Sequence, residues 1–469
     1  MRKRTQVNYV LMAWVCAGIS TVSVAGAAES ADSAGTSTPD SSYTAPLPAS
    51  SNAPLLSAAN QAAVRSPANA AAPNNPNDSL IPANQSLDQS VLDTDLQNQS
   101  PDVYPKASPM AINRWHFDFQ LTLGALYDDN IYVSHYNRVG DFTFSISPLF
   151  MVTLGDYETH TENYLSLTYQ PTYTYYPDHS GLDAWENQVL LEGQYVMDRL
   201  TIGGQFRFDS RQGQSVETIN DESIGRVDRN IYDGLLRAEY ALTGKISAET
   251  ELEWLYYDYK DRIDSTYYTA RFFLNYQIAP KVKIGPGYAI GYTDVQNAPG
   301  QVYQQALVQA IYAATDKFTL DARGGVEFRH FNGGGGDTAD PIFSLGATYH
   351  PFVDTTIDLT AFRNQRSSAD DAGQNYTATG VSLLVSQKLW QRFTLSLEGG
   401  YEHSTYNSAV SGVTADRTDN FYYGRVGFAY DFRDWLTAEI YYLYRENDSS
   451  HVSRAFTQNI GGLQMVFKF

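Results

Sequence analysis

The chain of 469 residues has one cysteine, Cys16, and it sits inside an N-terminal apolar stretch. Past that stretch there is no disulfide, no thiolate metal site and no cysteine nucleophile. Histidine is scarce as well: the eight residues are not grouped at ligand spacing, and no His-Glu-x-x-His occurs. A Gly-x-Ser-x-Gly elbow and a glycine-rich phosphate loop are also missing, so no catalytic residue, cofactor site or metal site is assigned and the chain is not read as an enzyme. No run of about 18 apolar residues follows the N-terminal segment, which excludes helical membrane spans. Basic residues are in deficit, 32 Lys and Arg against 52 Asp and Glu for a formal charge of −20, which argues against nucleic acid as a partner.

What is present begins with an export signal. Arg2, Lys3 and Arg4 precede an apolar run over residues 10–24, and Ala25-Gly26-Ala27 offers a small-x-small cleavage site. Residues 1–27 therefore read as a signal peptide, with an apolar core shorter than the roughly 20 residues of a spanning helix. Ala13-Trp14-Val15 before Cys16 does not match a lipoprotein box. Residues 28–112 are dominated by Ser, Ala, Pro, Asn, Gln and Thr. Alanine is too small to build a core, so this segment is predicted to be a disordered, low-complexity periplasmic leader, either a plain linker or a tether for a periplasmic partner.

From Trp115 onward the pattern has period two. Phe117, Phe119, Leu121, Leu123 and Ala125 share one parity; Ile202, Phe206 and Phe208 oppose Gln205, Arg207 and Asp209; Leu320, Ala322, Val326 and Phe328 oppose Asp321, Arg323, Glu327 and Arg329. The second face is charged in strand after strand, which suits a barrel with a lipid-facing outside and a polar inside. Aromatic residues make up 13% of the chain, with 35 Tyr, and the paired tyrosines at 175–176, 256–257, 267–268, 422–423 and 441–442 cluster near predicted loop ends. Trp115, Trp390 and Trp435 fall at the turn ends, so two interfacial girdles are expected. A saccharide-stacking platform is the other reading of the loop-side rings.

Short links recur at Gly155-Asp156, 197–199, 243–245, 279–281, 315–317, 351–354, 390–392 and 433–435. Longer polar connections lie between them, among them 128–141, 212–228, 332–340 and 406–419. Eight short turns imply nine longer loops and about 18 strands over residues 113–469, with turns periplasmic and loops outside. The Gly333 to Gly336 run reads as a loop tip, and Asp128-Asp129-Asn130 as a turn rather than a cation site.

Read literally, the alternation sends Arg207, Asp209, Arg237, Glu239, Glu249, Glu251, Glu253, Arg271, Asp321, Arg323, Glu327, Arg329, Glu398, Arg425 and Glu439 into the lumen. A charge facing hydrocarbon costs about 2 to 4 kcal/mol for Arg or Lys at the midplane, which supports the inward assignment. These charges either pair along the wall or form a mixed-charge track for a polar solute.

The last strand closes the pattern. Leu463, Met465, Phe467 and Phe469 share one parity, and the chain ends on an aromatic residue. This resembles the terminal strand by which bacterial outer-membrane proteins are read by their barrel assembly machinery. In addition, Tyr127-Asp-Asp-Asn-Ile-Tyr132, then Arg138, Asp141 and Pro148 before tyrosine-rich strands, resembles a group of β-barrel porins from polysaccharide-producing bacteria. The similarity covers about 115–469 and not the leader. It implies a barrel linked to exopolysaccharide secretion, with a periplasmic polysaccharide-export partner, and it transfers no catalytic residue.

The expectation is thus an all-β, transmembrane antiparallel barrel in the outer membrane of a Gram-negative bacterium, in contact with its lipid. It would act as a passive conduit exporting a polysaccharide or other polar solute. The alternative is a non-conducting surface protein whose outer loops bind a partner.

Overall fold

The computed structural model describes residues 115–155, 163–212, 227–315, 317–334, 336–390, 392–413 and 415–469. The predicted signal peptide and leader lie outside these residues.

Eighteen strands follow one another along the chain: β1 (Trp115–Asp128), β2 (Asp141–Gly155), β3 (Tyr164–Tyr175), β4 (Ala184–Val196), β5 (Leu200–Arg211) and β6 (Arg229–Ala241). Then come β7 (Ile246–Tyr259), β8 (Ser265–Ala279), β9 (Val282–Val295), β10 (Gln301–Thr315), β11 (Phe318–Phe331) and β12 (Thr338–Tyr349). The series ends with β13 (Thr355–Ser367), β14 (Gln374–Leu389), β15 (Phe393–Ser408), β16 (Thr418–Arg433), β17 (Leu436–Ser449) and β18 (Phe456–Lys468). Each strand pairs antiparallel with its sequence neighbours, and β1 pairs with both β2 and β18, so the sheet is a closed barrel of 18 strands. Closure removes the unpaired edge that an open sheet of this size would leave.

The strand count matches that implied by the turns. The links after β4, β6, β8, β10, β12, β14 and β16 are short, and the alternate links are mostly longer. Strands run from 12 to 16 residues, long enough to cross a bilayer while tilted.

The two faces of the wall differ as the alternation requires. On β8, Leu274 is 51% exposed on the outside, while Asn275 beside it is 1% exposed on the inside. Phe117, Phe150, Leu167, Phe272 and Ile440 are likewise exposed outward. The buried set is instead rich in Ser, Thr, Asn, Gln, Arg and Glu, so the inside of this molecule is its polar side. A soluble protein does not surround itself with a continuous apolar belt; hydrocarbon solvent demands one.

The closing strand sets its apolar residues against those of β1. Leu463 lies opposite Ala125, Met465 opposite Leu123 and Phe467 opposite Leu121. Beyond the ladder, the Phe469 amide donates to the Phe119 carbonyl at 2.9 Å, and the two rings stack at 5.5 Å. The terminal aromatic is therefore part of the seam itself.

Seams are interrupted at several places, one of them in the β8–β9 ladder, which skips from Phe273/Gly287 to Tyr276/Ile284 across Pro286. The β2–β3 ladder skips from Ile146/Tyr173 to Phe150/Tyr169, across the segment holding Pro148 and Pro171, neither of which can donate. Inside the barrel the Ser147 and Thr172 hydroxyls, 2.8 Å apart, and the Gln170 amide bridge this gap. The β12–β13 ladder stops at Phe343/Arg363, although β12 starts at Thr338 and β13 runs on to Ser367.

Candidate functional site

All the charged residues predicted to line the lumen stand on inward-facing positions, and they form two groups. The larger spans β5 to β11. Arg237 on β6 pairs with Glu249 on β7, and its Nε lies 3.7 Å from Glu251. Arg271 on β8 holds Glu253 at 2.7 Å and stands 4.0 Å from Glu251. Arg323 on β11 donates both Nη groups to the two oxygens of Glu251, at 2.9 and 2.8 Å, in the bidentate geometry that suits guanidinium and carboxylate. Gln309 on β10 and Asn275 on β8 donate to Glu249 at 3.0 and 2.8 Å.

The Arg323–Glu251 contact joins strands four apart. On a flat wall that separation is roughly 19 Å, beyond the joint reach of the two side chains. The wall must therefore curl sharply between them. The inward positions of β9, in the middle of that arc, are Gly285, Gly287, Ala289 and Gly291. A Cβ on Gly287 would fall into the Phe273 ring, and one on Gly291 into the Tyr303 ring. These positions are empty of side chain so that neighbouring rings can lie flat on the wall and the arc can close. Arg323 then stacks over Phe273 at 5.0 Å, and Arg329 over Tyr303 at 4.7 Å. Lys283 at the turn end of β9 pairs with Glu239 on β6, a contact across the same arc.

The remaining members of this group pair more locally. Arg329 holds Glu327 at 2.7 Å, Gln305 donates to Glu327 at 2.8 Å, and Arg207 lies 3.3 Å from Asp233. Asp209 is held by Arg211 at 2.7 Å. Asp321 stands two residues before Arg323 on the same face of β11. Arg271, Glu249, Glu251, Glu327 and Arg329 are all within 1% of full burial, so at this height the network covers itself.

The second group lies on the opposite arc. Arg425 on β16 binds Glu439 on β17 at 2.5 Å and stacks over Tyr441 at 4.9 Å. Gln464 on β18 donates to the other Glu439 oxygen at 2.7 Å. The Tyr423 hydroxyl donates to Glu398 at 3.2 Å. Around them Phe362, Tyr376, Tyr406, Tyr423, Tyr441, Leu443 and Ile460 form an apolar cluster inside the lumen.

The paired tyrosines split between the two faces of the wall, so only one ring of a pair can belong to the expected loop-side girdle. Adjacent residues on a strand face opposite ways. Tyr175, Tyr268, Tyr422 and Tyr442 are exposed outside, whereas Tyr176, Tyr267, Tyr423 and Tyr441 are buried inside. The inner rings are packed against each other and against guanidinium groups, as with Tyr376 and Tyr406 stacked at 5.2 Å. They do not present an open stacking platform.

Asp128, Asp129 and Asn130 act as turn and seam residues. Asp128 accepts from the Asn130 amide at 2.8 Å and from Gln458 at 2.6 Å; Asp129 accepts from the Asn459 backbone and side chain, both at 2.7 Å. Among the described residues no group of three His, Cys, Asp or Glu is placed to hold a metal ion.

The mouth at the loop end of the strands holds a feature that the alternation does not anticipate. Where the β12–β13 seam stops, β13 and β14 stay paired to each other and β14 stays paired to β15. The β13–β14 end leans inward as one piece, until residues of its nominally outer face meet the inner wall of β8 to β11. The Ser367 amide donates to the Tyr267 hydroxyl on β8 at 3.0 Å. Asn375 and Gln301 on β10 exchange two side-chain hydrogen bonds, at 2.8 and 2.9 Å. Arg329 also reaches the Gln301 side chain at 3.0 Å.

No family model matches the chain, and no curated protein matches it. Among solved structures the chain is similar to OccAB3 of Acinetobacter baumannii, with a TM-score of 0.40 and 10% identity over 75% of this chain and 99% of that one. It is similar to the copper transporter OprC, with a TM-score of 0.42 and 10% identity over 77% and 82%. A third is the FrpB iron transporter from Neisseria meningitidis, at 0.38 and 11% over 70% and 62%. At these scores the likenesses add nothing to the fold read from the strand pairing, and they carry no residue or cargo to this chain.

Proposed function

We propose that this chain is an outer-membrane channel for polar solutes. One observation carries the reading: a single closed wall of 18 strands is apolar outside and lined inside by charged and amide side chains. Only a lipid bilayer on one side and a polar path on the other make both faces favourable.

The finer reading is export of a polysaccharide or a related hydroxyl-rich solute. Support comes from the sequence resemblance over 127–148 and from the state of the lumen charges. Arginines and carboxylates are interleaved and paired, so no one sign dominates the wall, as a selective ion filter would require. A neutral, hydrogen-bonding cargo fits such a wall better than a small ion does. The leader would stay in the periplasm, where an export partner could engage it, and folding would rely on the barrel assembly machinery.

The test is conductance of the purified, refolded barrel in planar bilayers, paired with entry of neutral oligosaccharides into vesicles. Channel steps together with oligosaccharide flux support the reading. A folded barrel with no conductance at any voltage refutes it and favours a surface protein whose loops bind a partner.

A further inference from the structure

The inward-leaning end of β13 and β14 is held at its tip by one carboxylate. Asp370, in the loop between the two strands, is approached by guanidinium groups from three other outer loops. Arg417, from the β15–β16 loop, lies 3.1 Å from its Oδ2, and Arg454, from the β17–β18 loop, lies 2.6 Å from the same oxygen. Arg262, from the β7–β8 loop, pairs with Oδ1. The Ile263 amide in that same loop donates to the Ala369 carbonyl at 2.9 Å. The β7–β8 and β17–β18 loops belong to strands seven to nine places apart round the 18-strand barrel, so the tip of β13–β14 stands between opposite rims of the mouth.

Two further facts bear on how this tip is held. Its contacts with the wall are polar: a tyrosine hydroxyl, an amide pair and an arginine-to-carbonyl contact at 3.5 Å from Arg329 to Gln365. And the seam it vacates is not sealed by a backbone ladder, because β12 keeps its Thr338 to Ile342 end without β13 beside it. Polar contacts of this kind exchange for water at little net cost, unlike an apolar core. The segment therefore has two resting places of comparable character, one across the mouth and one back in the wall.

We infer that the β13–β14 end is a charge-held gate across the channel mouth, with Asp370 as its latch. This rests on the channel reading above. With the latch made, three loops are tied to one central carboxylate and the mouth is crossed. With Asp370 neutralised, Arg262, Arg417 and Arg454 lose their shared counter-charge, Arg417 keeping its own Asp419 at 2.5 Å, and the three loops are no longer drawn to one point. The end then returns toward β12 and the mouth widens.

The test uses the full chain in vesicles with a reporter cysteine at Ala369→Cys, Cys16 being the only other cysteine and lying in the predicted signal peptide. Ala369 is buried beneath the loops, so maleimide reaches the reporter slowly while the latch holds. Asp370→Asn should raise the labelling rate by about tenfold or more and increase open-channel conductance. A second variant, Arg262→Gln with Arg454→Gln, should shift both readings in the same direction, and it decides the matter if Asp370→Asn does not fold. Unchanged labelling in a folded variant of a barrel that conducts overturns the gate and leaves the channel standing. Faster labelling with no change in the conductance of a conducting barrel overturns the gate as well. Faster labelling in a barrel that never conducts refutes the channel reading instead, and shows the latch to be a feature of a closed surface protein.

Discussion

Arg323→Met removes a side chain that ties β11 to β7. Glu251 then keeps Arg237 at 3.7 Å and Arg271 at 4.0 Å but loses two hydrogen bonds at 2.8 and 2.9 Å. Two unit charges 4 Å apart interact by about 4 kcal/mol at an effective dielectric of 20. Breaking a buried pair by removing one partner costs about 3–5 kcal/mol, because the other charge is left desolvated. The two remaining arginines recover part of this, so a loss near 3 kcal/mol is expected. Urea unfolding of the refolded barrel, followed by heat-modifiable mobility and by fluorescence, reads that loss directly. Glu251→Gln in the Arg323→Met background should cost less than the sum of the two single changes, since the second removes the charge that the first left stranded. A single-variant loss below about 1 kcal/mol, the range of exposed ion pairs, would refute the reasoning. It would mean that water reaches the pair and that the network is a solvated lining rather than a buried tie.

Three other perturbations bear on separate links. Glu249→Gln, Glu251→Gln and Glu253→Gln together strip Arg237, Arg271 and Arg323 of their closest carboxylates, so the channel should turn toward anions in reversal-potential measurements; an open channel of unchanged selectivity would show that ions do not pass this network. Gly291→Val places a side chain in the space of the Tyr303 ring and should cost about 1–3 kcal/mol through overpacking, whereas an unperturbed unfolding midpoint would dismiss the curl as the reason for glycine there. Deleting Phe469, or replacing Phe467 with Asp, should reduce the fraction of heat-modifiable barrel, because one loses the Phe119 contact and the other sets a charge on the lipid face opposite Leu121; normal yields of both would detach assembly from the closing seam.

Period-two alternation answers one question well, which face a side chain takes. That is why the inward positions of Arg237, Glu251 and Arg323 are legible in the amino-acid sequence alone. Alternation says nothing of how far apart two inward side chains lie, since that depends on the curvature of the wall. The pairing of Glu251 with Arg237 and Arg271 is legible because they sit on adjacent strands. The pairing with Arg323, four strands away, is not, nor are the roles of Gln309 and Asn275 beside it. A signal for the curl is nonetheless present: β9 is the strand whose inner parity from Gly285 to Gly291 carries nothing larger than alanine. Small inner residues allow a tight arc, as bulky ones would collide. The tyrosine pairs mislead for a simpler reason. A pair looks like a block of rings at one height, although neighbours on a strand cannot share a face.

The departure of β13 from the wall is also written in the chain, as a failure of the rule that holds elsewhere. After Phe362 the strand reads Arg363, Asn364, Gln365, Arg366, Ser367, polar at both parities. Kept in register with β12, it would set Gln365 on the lipid side opposite Pro341, a residue with no amide hydrogen to offer the ladder. The ladder bonds it forgoes are offset inside, where Arg329, Tyr267 and Gln301 receive its polar groups, so the inward place competes with the place in the wall. Arg363, the last paired residue, marks the corner: its Nε donates to the Pro341 carbonyl at 3.1 Å and its Nη1 to the Thr379 hydroxyl at 2.7 Å, stitching the end of the seam with a side chain. In a barrel, then, the informative stretch is the one where alternation stops before the strand does, because there the wall must either break its hydrogen bonds or leave the membrane face.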